Sequence, residues 1–179
     1  MIVLDTSAIV EFLVGADDVA ERVRAAVASE TLAAPHAVDL ECASTLRGLV
    51  HGHKLPADEA QRALELLGGI SLKRYGHVPL LARIWQLRQN AWPYDAAYVA
   101  LAESLNADLV TVDGKFETIP GIRCAVRNLR DRLRNYFHSP TVSSAAPPRS
   151  RSRSSPAASA CEDSVLAAPP RASRAAGPG

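Results

Sequence analysis

The sequence predicts an α/β sandwich with a short central parallel sheet flanked by helices, followed by a disordered C-terminal tail. Three observations predict it. Short β-type apolar runs alternate with stretches of helical spacing along residues 1–127, and strands separated by helices pair in parallel. Prolines or acids open most helical stretches and glycines close several of them. The composition then changes abruptly at His138.

The chain has 179 residues, of which 47% are hydrophobic and 22% charged. That is one domain of common size with a sizeable core. Ile2–Asp5 reads as the first strand and Thr6–Val14 as a helix ended by Gly15. Asp17 and Asp18 open a second helix with Val19, Val23 and Val27 on one stripe. Thr31–Ala34 is the second strand. Pro35 is expected to start a helix through His53, with Val38, Cys42, Leu46 and Leu49 inward. Pro56 and the acids after it start the next, with Leu64 and Leu67 inward and Gly68-Gly69 as the stop. Ile70–Leu72 is a short strand candidate. Pro79 begins a helix through Asn90 that carries Trp85 on an apolar, core-facing side. Pro93 or Tyr94 opens a helix to Leu105, with Tyr94, Tyr98, Leu101 and Leu105 at helical spacing. Leu109–Val112 and Arg123–Val126 are the last strands. Residues 128–137 are expected to add a terminal helix with Leu129, Leu133 and Phe137 on one face.

From His138 to Gly179 the chain is Ser, Pro, Ala, Gly and Arg, with almost no large apolar side chain. Such a segment buries too little surface to offset its ordering entropy, so a disordered tail is expected. It carries five Arg against Glu162 and Asp163, which leaves residues 1–137 with 15 basic and 17 acidic side chains. The Arg-Ser run from Arg149 to Ser155 suits phosphate contact or is simply compositional bias.

Other function classes are excluded early. No apolar run approaches the ~20 residues of a membrane helix. Met1-Ile-Val-Leu-Asp5 has no basic region before its apolar residues, unlike a secretion signal. Cys42, Cys124 and Cys161 are far apart with no CxxC, which fits a reducing cytoplasm and neither a disulfide framework nor a zinc knuckle. A net charge of +1 does not hold nucleic acid by bulk electrostatics alone.

Four acids fall where an open parallel sheet puts its chemistry, outside the carboxyl ends of the strands. Asp5 ends the first strand, Asp113 the fourth. Asp95 sits at a helix start and Glu41 in the helix after the second strand. Each alone has a structural explanation: an N-cap for Asp5, a dipole-matched acid for Asp95, a turn for Asp113, a solvated face for Glu41. Together at one rim they would repel, at about 4 kcal/mol per close pair at an effective dielectric of 20. Protonation or a divalent cation relieves that. All-oxygen donors suit Mg²⁺ or Mn²⁺ rather than zinc.

The segments Met1-Ile-Val-Leu-Asp5-Thr-Ser-Ala-Ile-Val, Ala34-Pro-His-Ala-Val-Asp-Leu-Glu41-Cys-Ala-Ser-Thr-Leu-Arg47, Tyr94-Asp95-Ala-Ala-Tyr-Val-Ala-Leu-Ala-Glu103 and Leu109-Val-Thr-Val-Asp113 resemble PIN-domain ribonucleases, more narrowly VapC-type toxins of bacterial toxin–antitoxin pairs. The resemblance covers residues 1 to 127. It implies a three-layer sandwich and an acidic quartet, Asp5, Glu41, Asp95 and Asp113, that binds Mg²⁺ (or Mn²⁺) and hydrolyses RNA phosphodiesters. Asp5 and Asp95 would be principal metal ligands, Asp113 would complete the shell, and Glu41 would bind metal or orient the attacking water. The resemblance also implies a cognate protein antitoxin, with an Arg or Lys inserted among the acids, and a homodimer formed through helix faces outside the site.

Thr6, Ser7 and Thr111 are close enough in sequence to support the acids as hydrogen-bond donors, or serve as caps and strand residues. His51 and His53 look like a metal pair but fall at a helix end, where polar residues are normal. Arg47, Arg83 and Arg88 suit RNA phosphates or ordinary surface pairing. Trp92, like Trp85, suits base stacking. Three other readings stay open: a metal-dependent, aspartyl-nucleophile phosphatase, which wants an acid where Ser7 stands; a receiver-like domain, which wants a Lys after a late strand; and a non-enzymatic module that kept the fold.

Overall fold

Ile2, Val3 and Leu4 are all buried and form β1 (Ile2–Leu4), the middle strand of a five-stranded sheet. The computed structural model describes residues 1–130. In it β2 (Leu32–Pro35), β3 (Leu72–Tyr75), β4 (Asp108–Thr111) and β5 (Val126–Asn128) join β1 in the order β3-β2-β1-β4-β5. Every pairing is parallel, with Ile2 opposite both Leu32 and Asp108. Strand β1 runs near-continuously apolar because both its faces are covered. The terminal helix expected over residues 128–137 does not begin where expected, since Asn128 belongs to β5 and Leu129 N–H bonds to Thr111 O; residues 131–137 and the tail from His138 lie outside the described residues.

Six helices connect the strands: α1 (Thr6–Val14), α2 (Asp18–Val27), α3 (Val38–His51), α4 (Ala57–Gly69), α5 (Leu81–Gln86) and α6 (Pro93–Leu105). Asp5 starts α1 by accepting the Ala8 N–H, and Asp17 starts α2 by accepting those of Val19 and Ala20. Gly15 lets the two helices approach: a Cβ there would stand 2.8 Å from that of Ala20. Helices α1, α3 and α4 pack together, while α6 crosses β1, β2 and β4. From Ala96 to Ala102 every residue of α6 is buried, the mark of a helix covered all round. Small side chains make that possible, since four of those seven are alanine. Asn106 ends the helix in the left-handed region, at φ 48°, which asparagine tolerates well.

Several expectations needed correction. Pro35 ends β2 rather than starting a helix; the next donor, His36 N–H, bonds to Tyr75 O, so the missing proline N–H costs no pairing there. Helix α3 begins at Val38 and ends at His51. Leu64 is exposed, because the buried stripe of α4 is Ala60, Ala63 and Leu67, whose small members let the helix sit close. The third strand runs on through Lys73 and Arg74, polar because β3 is a sheet edge. The last strand is Val126–Asn128 and not Arg123–Val126. Pro79 lies inside a short 3₁₀ turn, Val78–Leu80, and only then comes the six-residue α5. Leu80, Ile84 and Leu87 form its buried stripe. Trp85 is off that stripe and 68% exposed, not core.

Candidate active site

The sheet order reverses direction between β1 and β4, and such a switch opens a crevice at the carboxyl ends of those two strands. Asp5 follows β1 and Asp113 lies two residues beyond β4. Glu41 projects from the first turns of α3, and Asp95 from the first turn of α6. All four line one cavity of about 360 Å³, together with Thr6, Ser7, Ser44, Thr45, Tyr98 and Lys115. The topology therefore brings together the four acids that the sequence singled out.

Their surroundings differ. Asp5 is buried, at 3% exposure. Its carboxylate accepts bonds from Ala8 N–H (2.9 Å), Ser7 Oγ (2.8 Å) and Thr111 Oγ1 (3.1 Å). Burial pushes its pKa up, against those donors and the more distant Lys115. Glu41 is anchored through one oxygen, Oε2, which accepts from Thr6 Oγ1 at 2.8 Å and from the Tyr98 hydroxyl through a short bond. Burial and the Glu41 carboxylate raise the Tyr98 phenol, so it stays a donor. Lys115 Nζ stands 2.9 Å from Asp95 Oδ1 and 3.3 Å from Asp113 Oδ2. Partial burial works to lower the Lys115 pKa, but these two carboxylates outweigh it and hold the pKa above its ordinary value. Asp113 also caps the 3₁₀ turn after β4 by accepting Lys115 N–H at 3.0 Å.

Among the described residues, no three His, Cys, Asp or Glu side chains are gathered into one ion-binding cluster. Apart from the Lys115 ammonium, the polar side chains around the cavity are nonetheless carboxylates and hydroxyls, and Mg²⁺ needs only one or two carboxylates, keeping water in its other positions. The Lys115 ammonium already sits against two of the acids, showing where positive charge is favoured. The residues present fit a hard divalent cation.

Tyr98 and Lys115 were not identified as site residues from sequence. Tyr98 was legible only as a helix-stripe aromatic, and nothing marks its hydroxyl for Glu41. Lys115 had a signal, since it follows the Asp113-Gly114 turn directly. It also removes one argument against the receiver-like alternative, because a lysine does follow a late strand. The strand order excludes that alternative instead, since flavodoxin-like sheets run 2-1-3-4-5. At the position where a phosphatase of the aspartyl type wants an acid, Ser7 donates to Asp5.

The remaining candidates are elsewhere. His51 ends α3 and His53 has a positive φ of 54°; neither lines the cavity. Arg83 is committed to Glu103, at 2.7 and 2.9 Å, and to Gly121 O. Arg47 is exposed on α3, and Arg88 stacks over Trp85.

The family model for the PIN domain matches residues 2–122. VapC ribonuclease Mb0985 of Mycobacterium bovis and ribonuclease VapC9 of Mycobacterium tuberculosis are each 40% identical over 126 residues, which is 70% of this chain and 96% of theirs. Ribonuclease VapC1 of Mycobacterium tuberculosis is 36% identical over 129 residues, 72% of this chain and 97% of its own. Among solved structures, VapC20 of Mycobacterium tuberculosis, described as a toxin that cleaves the sarcin-ricin loop, superposes with a TM-score of 0.54 at 16% identity. It covers 67% of this chain and 95% of that one. FitAcB from Neisseria gonorrhoeae gives 0.53 at 22%, covering 72% and 98%. These two show the shared fold. A family match across most of the described residues, and ribonuclease relatives matched over almost their whole length, show that this chain belongs to the PIN-domain family of VapC ribonucleases.

Proposed function

We propose that this chain is the endoribonuclease toxin of a toxin–antitoxin pair and that Asp5, Glu41, Asp95 and Asp113 are its catalytic acids. The observation that carries the assignment is the meeting of all four in one cavity at the switch between β1 and β4. A bound Mg²⁺ or Mn²⁺ would lower the pKa of a water and neutralise charge on the scissile phosphate. Asp5 and Asp95 are the residues to hold it, with Asp113 beside them. Ser7 and Thr111 fix the Asp5 carboxylate, so its orientation is set before substrate arrives. Glu41 has one oxygen tied to Thr6 and Tyr98; its other oxygen is the one to accept a proton from the attacking water. Lys115 moves between its acid partners and an incoming phosphate, which it can pair as a point charge.

The same electrostatics suggests how the activity is restrained. Lys115 shows that a cation fits between Asp95 and Asp113, and an antitoxin Arg or Lys would fit by the same pairing. Structural neighbours include a toxin–antitoxin complex from Klebsiella pneumoniae. A homodimer through helix faces outside the cavity and a cytoplasmic location belong to the same proposal; no helix among the described residues is long and apolar enough to cross a membrane.

The test is cleavage of labelled RNA by the wild type and by Asp5→Asn, each with Mg²⁺ and with excess EDTA. Asn caps a helix as well as Asp and removes a charge that burial disfavours, so the variant should fold and be at least as stable. Cleavage is expected only by the wild type with metal. Undiminished cleavage in EDTA, or by the variant, refutes the assignment.

A further inference from the structure

A second groove, of about 440 Å³, opens between α5 and the start of α6. Trp85 and Trp92 both line it, at 68% and 79% exposure, and they are the two tryptophans of the whole sequence. Arg88 lies over the Trp85 ring, 4.9 Å from its centroid. Gln89 and Asn90 add exposed amides, and no acid lines the groove. The groove and the acid cavity both adjoin the first turn of α6: Pro93, its first residue, lines the groove, and Asp95, two residues on, lines the cavity.

Large exposed aromatics are uncommon and mark contact sites. A purely apolar partner would leave the guanidinium and the two amides to be desolvated without reward. Single-stranded nucleic acid matches all the parts. Bases stack on exposed aromatic rings whatever their identity, arginine contributes through cation–π contact and by pairing a phosphate, and amides meet base edges. We therefore infer that this groove is a nucleobase subsite, in which an unpaired base of the bound strand stacks on Trp92 or Trp85 while Arg88 holds a flanking phosphate. The inference rests on the proposed ribonuclease function and adds that the RNA is taken single-stranded at this position. It also accounts for how a mildly acidic domain could hold a polyanion near four carboxylates, by stacking and one local cation rather than by net charge.

Tryptophan emission reports on this groove alone. The Asp5→Asn full chain is titrated with an uncleaved, end-labelled single-stranded RNA while tryptophan emission and label anisotropy are followed together. Emission should be quenched in step with binding. A matched oligonucleotide carrying abasic sites should bind about ten-fold more weakly and not quench. In the otherwise wild-type chain, Trp92→Ala should raise KM about ten-fold at nearly unchanged kcat, and Arg88→Gln should act in the same direction. Both side chains are exposed, so thermal midpoints should hold and separate this from misfolding. RNA that binds and is cleaved with emission unchanged, or with Trp92→Ala and Trp85→Ala both at wild-type KM, overturns the subsite and leaves the ribonuclease assignment standing. Absence of RNA binding and cleavage altogether overturns both. If emission shifts with protein concentration without RNA, and Trp85→Ala turns a dimer into a monomer, the groove is a contact between copies and the inference is overturned in that direction.

Discussion

Tyr98→Phe isolates the contribution of one hydroxyl to the proposed chemistry. Tyr98 is 2% exposed, and its ring keeps the same packing as phenylalanine. Only the oxygen is lost, with its bond to Glu41 Oε2 and its contact of 2.8 Å with Thr6 Oγ1. A hydrogen bond to a charged group contributes roughly 1.5–3 kcal/mol. The lower end applies here, because Thr6 still donates to Glu41 and the cavity admits water to the freed oxygen. The cost should thus be about 1–2 kcal/mol, or roughly 3–8 °C in thermal midpoint for a domain of this size. The functional cost should be larger. A carboxylate with one of two anchors removed samples more orientations, and losing such a supporting bond typically reduces activity about 10- to 100-fold. Single-turnover cleavage of a labelled RNA, measured with Thr6→Val and the double variant beside it, gives a coupling energy between the two anchors. Additive losses would mean that the hydroxyls do not act together on Glu41. A Tyr98→Phe chain that cleaves within two-fold of wild type would refute the positioning role outright.

Three other outcomes are expected. Although burial acts to raise it, Glu103 is held below the ordinary carboxylate range by Arg83 and the Arg123 N–H. Its stabilisation is therefore complete above pH 4.5 and lost as pH falls through the lowered value; Glu103→Gln should cost about 2 kcal/mol at neutral pH and flatten this acid limb in chemical denaturation, and an unchanged limb would contradict it. Lys115→Met should alter stability by less than about 1 kcal/mol, since the lysine is 46% exposed, yet calorimetry should show tighter Mg²⁺ binding once the internal cation no longer competes for Asp95 and Asp113; weaker binding would make Lys115 a helper of the metal rather than its rival. The Cys42 thiol, fully buried and pushed up to about 12 chiefly by desolvation, should resist iodoacetamide in the native chain and react on denaturation, as mass spectrometry of its peptide would show.

What the sequence revealed of this fold depended on where physics leaves a local trace. Asp5, Asp95 and Asp113 stand at element boundaries marked by β-type runs, a proline and a glycine, so the rim they share followed from the alternation of strands and helices. Pro35 misled because a proline marks strand ends and helix starts alike, and only the pairing of His36 with Tyr75 separates the two. Trp85 misled because periodicity shows which residues share a helix face, not whether anything covers that face. In α4 Ala60 and Ala63 join Leu67 in the contact while Leu64 stays exposed, which depends on how closely two helices approach and hence on residues distant in sequence. The Tyr98 bond to Glu41 spans 57 positions and is invisible to any local pattern, whereas Lys115, beside a turn already identified, could have been noticed.

Helix α6 carries Asp95 and Tyr98 on one rod that is buried on every side from Ala96 to Ala102. A methyl group added at Ala97, Ala100 or Ala102 has no free side to turn to, so overpacking there would tilt the rod or shift it along its axis. The acid and the phenol would then move together. Selection for cells that survive unrestrained expression should accordingly return changes along this alanine-rich seam as well as at the carboxylates themselves. Such survivors would carry a folded, soluble protein whose defect is a small displacement of two groups at once. Reversion would come from a compensating cut in the side chains of β1, β2, β4 or α5 that pack on α6, not from any change inside the cavity.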